Sequence, residues 1–87
     1  MKIKNGFMLR TVGGQQVVVA VGEASKSFNG IIRLNETGAL LWNILSEGAD
    51  EEKLLAAMLE EYDIDESRAE ADIAAFIAKL NGADILE

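Results

Sequence analysis

The 87-residue chain contains no cysteine, no histidine and no proline. Without cysteine it has no disulfide, no thiolate nucleophile and no thiolate zinc site. Without histidine it lacks the usual proton-transfer group near neutral pH, and a Ser-His-Asp triad cannot be assembled. A chain of this length forms one domain, residues 1–87, which buries only about 60% of the surface of its unfolded state. These absences favour a non-enzymatic binding or carrier protein that holds no metal or cofactor.

Long apolar segments are also missing. No stretch approaches the roughly 20 consecutive apolar residues of a membrane-spanning helix. The apolar residues after Lys2 and Lys4 are interrupted too soon to form the core of a signal peptide. Hydrophobic residues nevertheless make up 49% of the chain, which is typical of a globular protein. The sequence therefore predicts a cytoplasmic protein that does not contact membranes.

Charge is abundant but unevenly distributed. The formal net charge is −7; residues 1–46 carry +3 and residues 47–87 carry −10. An acidic chain is a poor partner for nucleic acid. The acidic residues of the second half do not follow the alternating oxygen ligands of a calcium-binding loop. We interpret them as a solvated helix surface.

Residues 7–34 have the pattern of β-structure. Apolar and β-branched residues predict strands over Phe7–Val12 and Gln16–Val21. Gly13-Gly14 between them suits the positive φ angles of a two-residue hairpin turn. A third strand is predicted in the apolar run at residues 31–34, after a polar loop that contains glycine. We expect a small antiparallel sheet of three strands.

Residues 35–82 predict three helices. Each starts after a residue whose side chain can accept a hydrogen bond from a backbone N–H of the first turn: Asn35, Asp50, and either Asp63 or Asp65. Gly48 can adopt the left-handed conformation that ends the first helix.

The three helices carry apolar stripes expected to face the core. The stripes comprise Thr37, Leu41, Ile44 and Leu45; then Leu54, Leu55, Met58, Leu59 and Tyr62; then Ala69, Ile73, Phe76, Ile77 and Leu80. Trp42 lies one position off the first stripe, and we expect it in the core or at its rim rather than in contact with a ligand. The apolar tail Ile85-Leu86 is expected to return to the core.

The sequence from Phe28 to the C-terminus, 60 residues, resembles the PqqD-like family, which is named after a small protein of pyrroloquinoline quinone (PQQ) biosynthesis. The segment Leu34-Asn35-Glu36-Thr37-Gly38-Ala39, followed by Leu41-Trp42 and Gly48, carries most of the resemblance. Further matches are Tyr62, Asp72-Ile73, Phe76-Ile77, Leu80 and Ile85-Leu86.

The resemblance implies an α+β, winged-helix-like fold in which a three-stranded antiparallel sheet is followed by a three-helix bundle. It also implies a recognition element for ribosomally synthesised and post-translationally modified peptides (RiPPs). Such a peptide chaperone holds the leader of a precursor peptide and presents the peptide to a modifying enzyme, often a radical S-adenosylmethionine (SAM) enzyme. In the family, the leader is an added strand against the third strand, in a groove walled by the third helix.

The peptide-binding residues that this resemblance implies lie in two segments. The third strand supplies Asn29, Gly30, Ile31, Ile32, Arg33 and Leu34, with Ile32 and Leu34 on one face and Ile31 and Arg33 on the other. The third helix supplies a stripe beside its core stripe: Arg68, Asp72, Ala75 and Lys79. The small Ala75 would leave room for a groove. The acidic balance of the whole chain favours a basic or neutral leader segment.

Two alternatives come from other functional classes. Strands combined with three helices also occur in winged-helix transcriptional regulators, whose third helix reads DNA. Here the third helix offers only Arg68 and Lys79 as cations, beside Glu66, Glu70 and Asp72, so DNA binding is disfavoured. The other alternative is a non-catalytic subunit or scaffold of an enzyme complex that binds no leader.

Overall fold

The computed structural model describes residues 1–26 and 31–87. Three strands precede three helices: β1 Phe7–Val12, β2 Gln15–Ala20, β3 Ile32–Leu34, α1 Glu36–Ser46, α2 Glu51–Glu61 and α3 Glu66–Gly82. A 3-10 helix, Gly22–Lys26, follows β2. The α+β class and the order of elements predicted from the sequence are confirmed.

The three strands form one antiparallel sheet in the order β1-β2-β3. Gly13 and Gly14 have φ angles of 58° and 80° and connect the paired residues Val12 and Gln15, as expected for a two-residue hairpin. The pairing across this turn places the start of β2 at Gln15, one residue earlier than predicted, and β2 ends at Ala20.

The third strand is shorter than predicted. Its pairing with β2 begins only at Ile32, which lies opposite Val18, so the strand comprises Ile32–Leu34. Ile31 precedes the strand and is 63% exposed, which corrects its assignment to β3. The predicted strand residues Asn29 and Gly30 lie outside the described residues.

The two faces of the sheet differ in chemistry. The inner face packs on the helices through buried or partly buried side chains, among them Leu9, Val18, Ile32 and Leu34. On the outer face Val17 lies directly opposite Arg10 on β1 and Arg33 on β3. Val17 is only 5% exposed, because long side chains flank it on both sides. The alternation of β3 is as predicted, with Arg33 exposed and Leu34 buried.

Side-chain caps define where each helix begins. Backbone N–H groups of the first turns donate to the three caps: Gly38 to Asn35 Oδ1 (2.8 Å), Lys53 to Asp50 Oδ1 (2.9 Å) and Arg68 to Asp65 Oδ1 (2.8 Å). Asp65 is thus the cap of α3, and Asp63 is not. After α1 the chain turns at Gly48, whose φ is 90°.

The core is built from all three helices, the inner face of the sheet and both ends of the chain. Its buried side chains are Ile3, Val18, Leu34, Leu41, Trp42, Leu45, Leu54, Met58, Ala69, Ile73, Phe76, Leu80, Ile85 and Leu86. Trp42 is 3% exposed and belongs to this core. Leu59, predicted to face the core, is 38% exposed, because the buried stripe of α2 is narrow and centres on Leu54 and Met58.

The C-terminal tail folds back as expected. Leu86 forms an antiparallel bridge with Ile3, while Lys4 N donates to Ile85 O at 2.8 Å and Glu87 N donates to Lys2 O at 2.9 Å. In the part of the chain that the structure describes, no helix is both long and apolar enough to cross a membrane.

Candidate functional site

A groove separates the free side of β3 from α3. It has a volume of about 490 Å³. Its lining residues come from β3, from the start of α1 and from α3: Arg33, Leu34, Asn35, Thr37, Gly38, Leu41, Arg68, Asp72, Ala75, Phe76 and Lys79. We call this cavity the β3–α3 groove.

The strand side of the groove is an open sheet edge. β3 pairs with β2 on one side, and no other strand among the described residues pairs with its second side. The carbonyl oxygen of Arg33 accepts a hydrogen bond of 3.5 Å from Lys79 Nζ on α3, so this carbonyl faces the groove. Because the N–H and C=O of one strand residue point to the same side, the N–H of Arg33 faces the groove as well.

The helix side of the groove is the stripe of Arg68, Asp72, Ala75 and Lys79 that the sequence singled out. Residues at this spacing lie on one helix face, and the stripe is roughly 16 Å long at about 1.5 Å per residue. That length corresponds to about five residues of an extended peptide. Ala75 has the smallest side chain of the stripe, so the groove is widest toward the helix at the middle of the stripe.

The start of α1 also lines the groove, and its close packing fixes the distance between α1 and β3. Asn35 caps the helix by accepting a hydrogen bond from Gly38 N. Gly38 is buried, and a Cβ atom at this position would lie 3.2 Å from Leu34 Cβ and 3.3 Å from Asn35 Oδ1. The missing side chain therefore lets α1 pack closely beneath β3. This explains the glycine of the Asn-Glu-Thr-Gly segment in physical terms.

The groove is basic although the protein is acidic. Its lining includes three basic residues, Arg33, Arg68 and Lys79, and one acidic residue, Asp72. Asp72 Oδ2 lies 3.9 Å from Arg68 Nε, one helical turn away. Arg33 and Lys79 make no ion pair with any residue that the structure describes.

Six of the predicted site residues come together in this groove: Arg33, Leu34, Arg68, Asp72, Ala75 and Lys79. Two others do not line it, since Ile32 packs against the core and Ile31 is exposed before the strand. The positions predicted at Asn29 and Gly30 fall outside residues 1–26 and 31–87.

The sequence interpretation missed the contribution of α1. Asn35, Thr37, Gly38 and Leu41 line the groove, and so does Phe76 from the core stripe of α3. These residues were assigned to capping and packing. One signal in the sequence could have placed the start of α1 beside the third strand. It is Gly38, four residues after Leu34, because a glycine there permits close packing of the helix on the strand.

A second cavity, of about 580 Å³, lies at the end of β3 and shares Arg33, Leu34 and Asn35 with the groove. The shared residues place both cavities around the same short strand.

Within the described ranges, no three His, Cys, Asp or Glu side chains are grouped so that they could hold a metal ion.

The fold and the groove together define a small winged-helix-like domain with an open sheet edge beside its third helix. The family described as coenzyme PQQ synthesis protein D (PqqD) matches residues 15–86. The chain belongs to this family, which confirms the resemblance seen in the sequence. The comparison with curated proteins gave no match.

Two solved structures share the fold. One is described as TbiB1 in complex with the TbiA(beta) leader peptide; it has 24% identity and a TM-score of 0.78, and the match covers 100% of this chain and 95% of that one. The other is described as lasso peptide synthetase B1 complexed with the leader peptide; it has 22% identity and a TM-score of 0.74, and covers 93% of this chain and 89% of that one. At these identities the similarity establishes the fold.

Proposed function

We propose that this protein binds the leader segment of a RiPP precursor peptide as a fourth strand on the open edge of β3. The observation that carries the proposal is the outer backbone edge of β3 at Arg33, which no other described strand pairs with and which lies beside the β3–α3 groove. Membership of the PqqD family supports the choice of ligand. So do the two structures of the same fold, each of which is a complex with a leader peptide.

Backbone and side-chain contacts divide the work of binding in this proposal. The N–H and C=O of Arg33 pair with the peptide backbone, which gives affinity without regard to sequence. Leu34, Leu41 and Phe76 line the groove from the core, and the inward-facing side chains of the leader pack over them. Ala75 provides the space in which those side chains lie. Asn29, Gly30 and Ile31 remain predicted contacts of the peptide segment that extends past the start of β3.

We further propose that the protein is not itself an enzyme and acts in the cytoplasm. It hands the bound precursor to a modifying enzyme, and family membership favours a radical SAM enzyme. The absence of histidine and cysteine from the sequence supports a non-catalytic role, because the imidazole acid-base group and the thiolate nucleophile are missing.

Titration with a leader peptide tests the proposal directly. The probe is the synthetic leader of a precursor peptide encoded beside the gene for this chain, and the readout is the set of backbone amide chemical shifts. We expect shifts at Ile32–Leu34 and along the α3 stripe from Arg68 to Lys79. A peptide with the same composition in scrambled order is the control.

Two results would contradict the proposal. Absence of saturable binding of the leader would contradict the proposed leader-binding function. Saturable binding with shifts confined to α2 and the Gly13-Gly14 turn would keep the function and reject the groove as its site.

A further inference from the structure

We propose that the leader segment in the β3–α3 groove is acidic: it presents a Glu or Asp side chain opposite Arg33, between apolar residues that face α3. This inference rests on the proposed function and names the class of peptide that the groove selects. It goes against the expectation from net charge, which favoured a basic or neutral leader.

The first observation is the distribution of charge over the molecule. The groove is lined by three of the chain's eight basic residues but by only one of its fifteen acidic residues. The net charge of −7 is therefore a property of other surfaces, chiefly those formed by residues 47–87. At physiological salt, exposed charges act over about 8 Å, so a bound peptide responds mainly to the lining of the groove.

The second observation is that the one acidic residue of the groove is already matched. Asp72 lies 3.9 Å from Arg68. The side chains of Arg33 and Lys79 have no carboxylate partner in the described part of the chain. A peptide that brings in a carboxylate therefore gains two unmatched cations, whereas a basic peptide meets like charge.

The third observation is the direction of the Arg33 side chain. Arg33 is on the outer face of the sheet, opposite Val17, while its neighbours Ile32 and Leu34 face inward. A strand added at this edge places one residue directly across from Arg33 on the same outer face. An opposite charge at that position stabilises a cross-strand pair. The adjacent peptide residues alternate inward, toward Leu34 and Phe76, and favour apolar side chains.

Lys79 provides the second contact. In the structure its ammonium group donates to the backbone oxygen of Arg33 at 3.5 Å. A backbone N–H of the added strand replaces Lys79 as the donor to this oxygen. The released ammonium group remains beside the groove. A carboxylate of the peptide then becomes its partner.

The experiment selects peptides rather than presuming one. A random library of short displayed peptides is enriched on the intact protein and, in parallel, on Ala75→Trp, in which the groove is filled. We expect the peptides that depend on an open groove to be enriched in Asp and Glu flanked by apolar residues. The best of them are then synthesised with Glu, Gln or Lys at the acidic position, and their affinities are measured at low salt and at about 0.5 M NaCl.

Arg33→Glu and Arg10→Glu form a matched pair for these measurements. Both arginines are exposed, both lie opposite Val17, and both substitutions change the net charge equally, but only Arg33 is on the groove edge. We expect Arg33→Glu to weaken the Glu peptide about tenfold and to reverse the order of the Glu and Lys peptides. Arg10→Glu is expected to change affinity less than about twofold. Thermal melting of both variants checks that they remain folded.

The outcomes separate this inference from the proposed function. If groove-dependent peptides are selected but are basic or neutral, or if Arg33→Glu leaves their order unchanged, the inference is wrong and peptide binding stands. If no selected peptide loses binding to Ala75→Trp, peptide binding in the groove is itself contradicted.

Discussion

The ammonium nitrogen of Lys79 lies 3.5 Å from the backbone oxygen of Arg33, 46 positions earlier in the chain. This contact joins α3 to the open edge of β3 across the β3–α3 groove. The oxygen it occupies is an acceptor that an added strand needs for its own N–H. We expect binding of a peptide backbone at this edge to exchange the donor to this oxygen, with a peptide amide in the place of Lys79.

Replacing Lys79 with Met tests this exchange, because methionine keeps an unbranched apolar side chain and removes the charge. For a groove-binding peptide with Glu opposite Arg33, we expect the affinity to fall about fivefold, which is about 1 kcal/mol. For the matched Gln peptide we expect a change below about twofold, since only the carboxylate gains from the cation. Calorimetric titration measures both affinities. Lys53→Met on α2, outside the groove, is the control, and an equal loss in the two variants would show that Lys79 acts only through net charge.

Replacing Ala75 with Trp should fill the middle of the groove. We expect leader affinity to fall at least about tenfold, or about 1.4 kcal/mol, while the melting temperature changes little because Ala75 is exposed and outside the core stripe. The matched control is Ala74→Trp, which places the same side chain on an exposed part of α3 that does not line the groove. If both variants bind the leader as the wild type does, the peptide does not lie between β3 and α3.

Replacing Gly38 with Val should destabilise the fold. The first side-chain atom already comes within 3.2 Å of Leu34 Cβ, and overpacking of this kind costs about 1–3 kcal/mol. In a domain of this size, 1 kcal/mol corresponds to about 4–8 °C in melting temperature. Gly82→Val is the control, because an added Cβ at the end of α3 meets no atom within 4 Å. A Gly38→Val protein that melts with the wild type would mean that α1 can move away from β3 without cost.

The regulator alternative predicts DNA binding, and the distribution of charge predicts its absence. At physiological salt we expect no binding of a short DNA duplex in a fluorescence anisotropy titration. The reason is that α3 offers two cations and the 41 residues from Glu47 onward carry −10. Micromolar affinity with a steep dependence on salt would instead support a winged-helix regulator.

The elements with strong local signals were predictable from the sequence. The Gly13-Gly14 turn requires positive φ angles that glycine adopts without strain, and Asn35 and Asp50 are capping residues followed by apolar periodicity. These features depend on neighbours in the chain. The α3 side of the groove was predictable for the same reason, because residues at this spacing share one helix face.

What the sequence did not determine depends on contacts between distant residues. The start of β3 is set by its register with β2, in which Ile32 is the first residue of the strand that pairs, whereas hydrophobicity alone placed Ile31 in the strand. The place of α1 in the groove follows from the packing of Gly38 on Leu34. The local charge of the groove could not be predicted, because it depends on Arg33 and Lys79 lying close together although they are far apart in the sequence.

The brevity of β3 bears on how long a peptide stays bound. Its described part contains three residues, of which Arg33 turns its backbone toward the groove. This described part offers few main-chain hydrogen bonds to an added strand, so we expect its side-chain contacts to influence the dissociation rate strongly and single substitutions to change that rate. A short edge of this kind suits repeated rounds of loading and release better than a long, permanent pairing. We therefore expect brief residence times for a bound leader peptide.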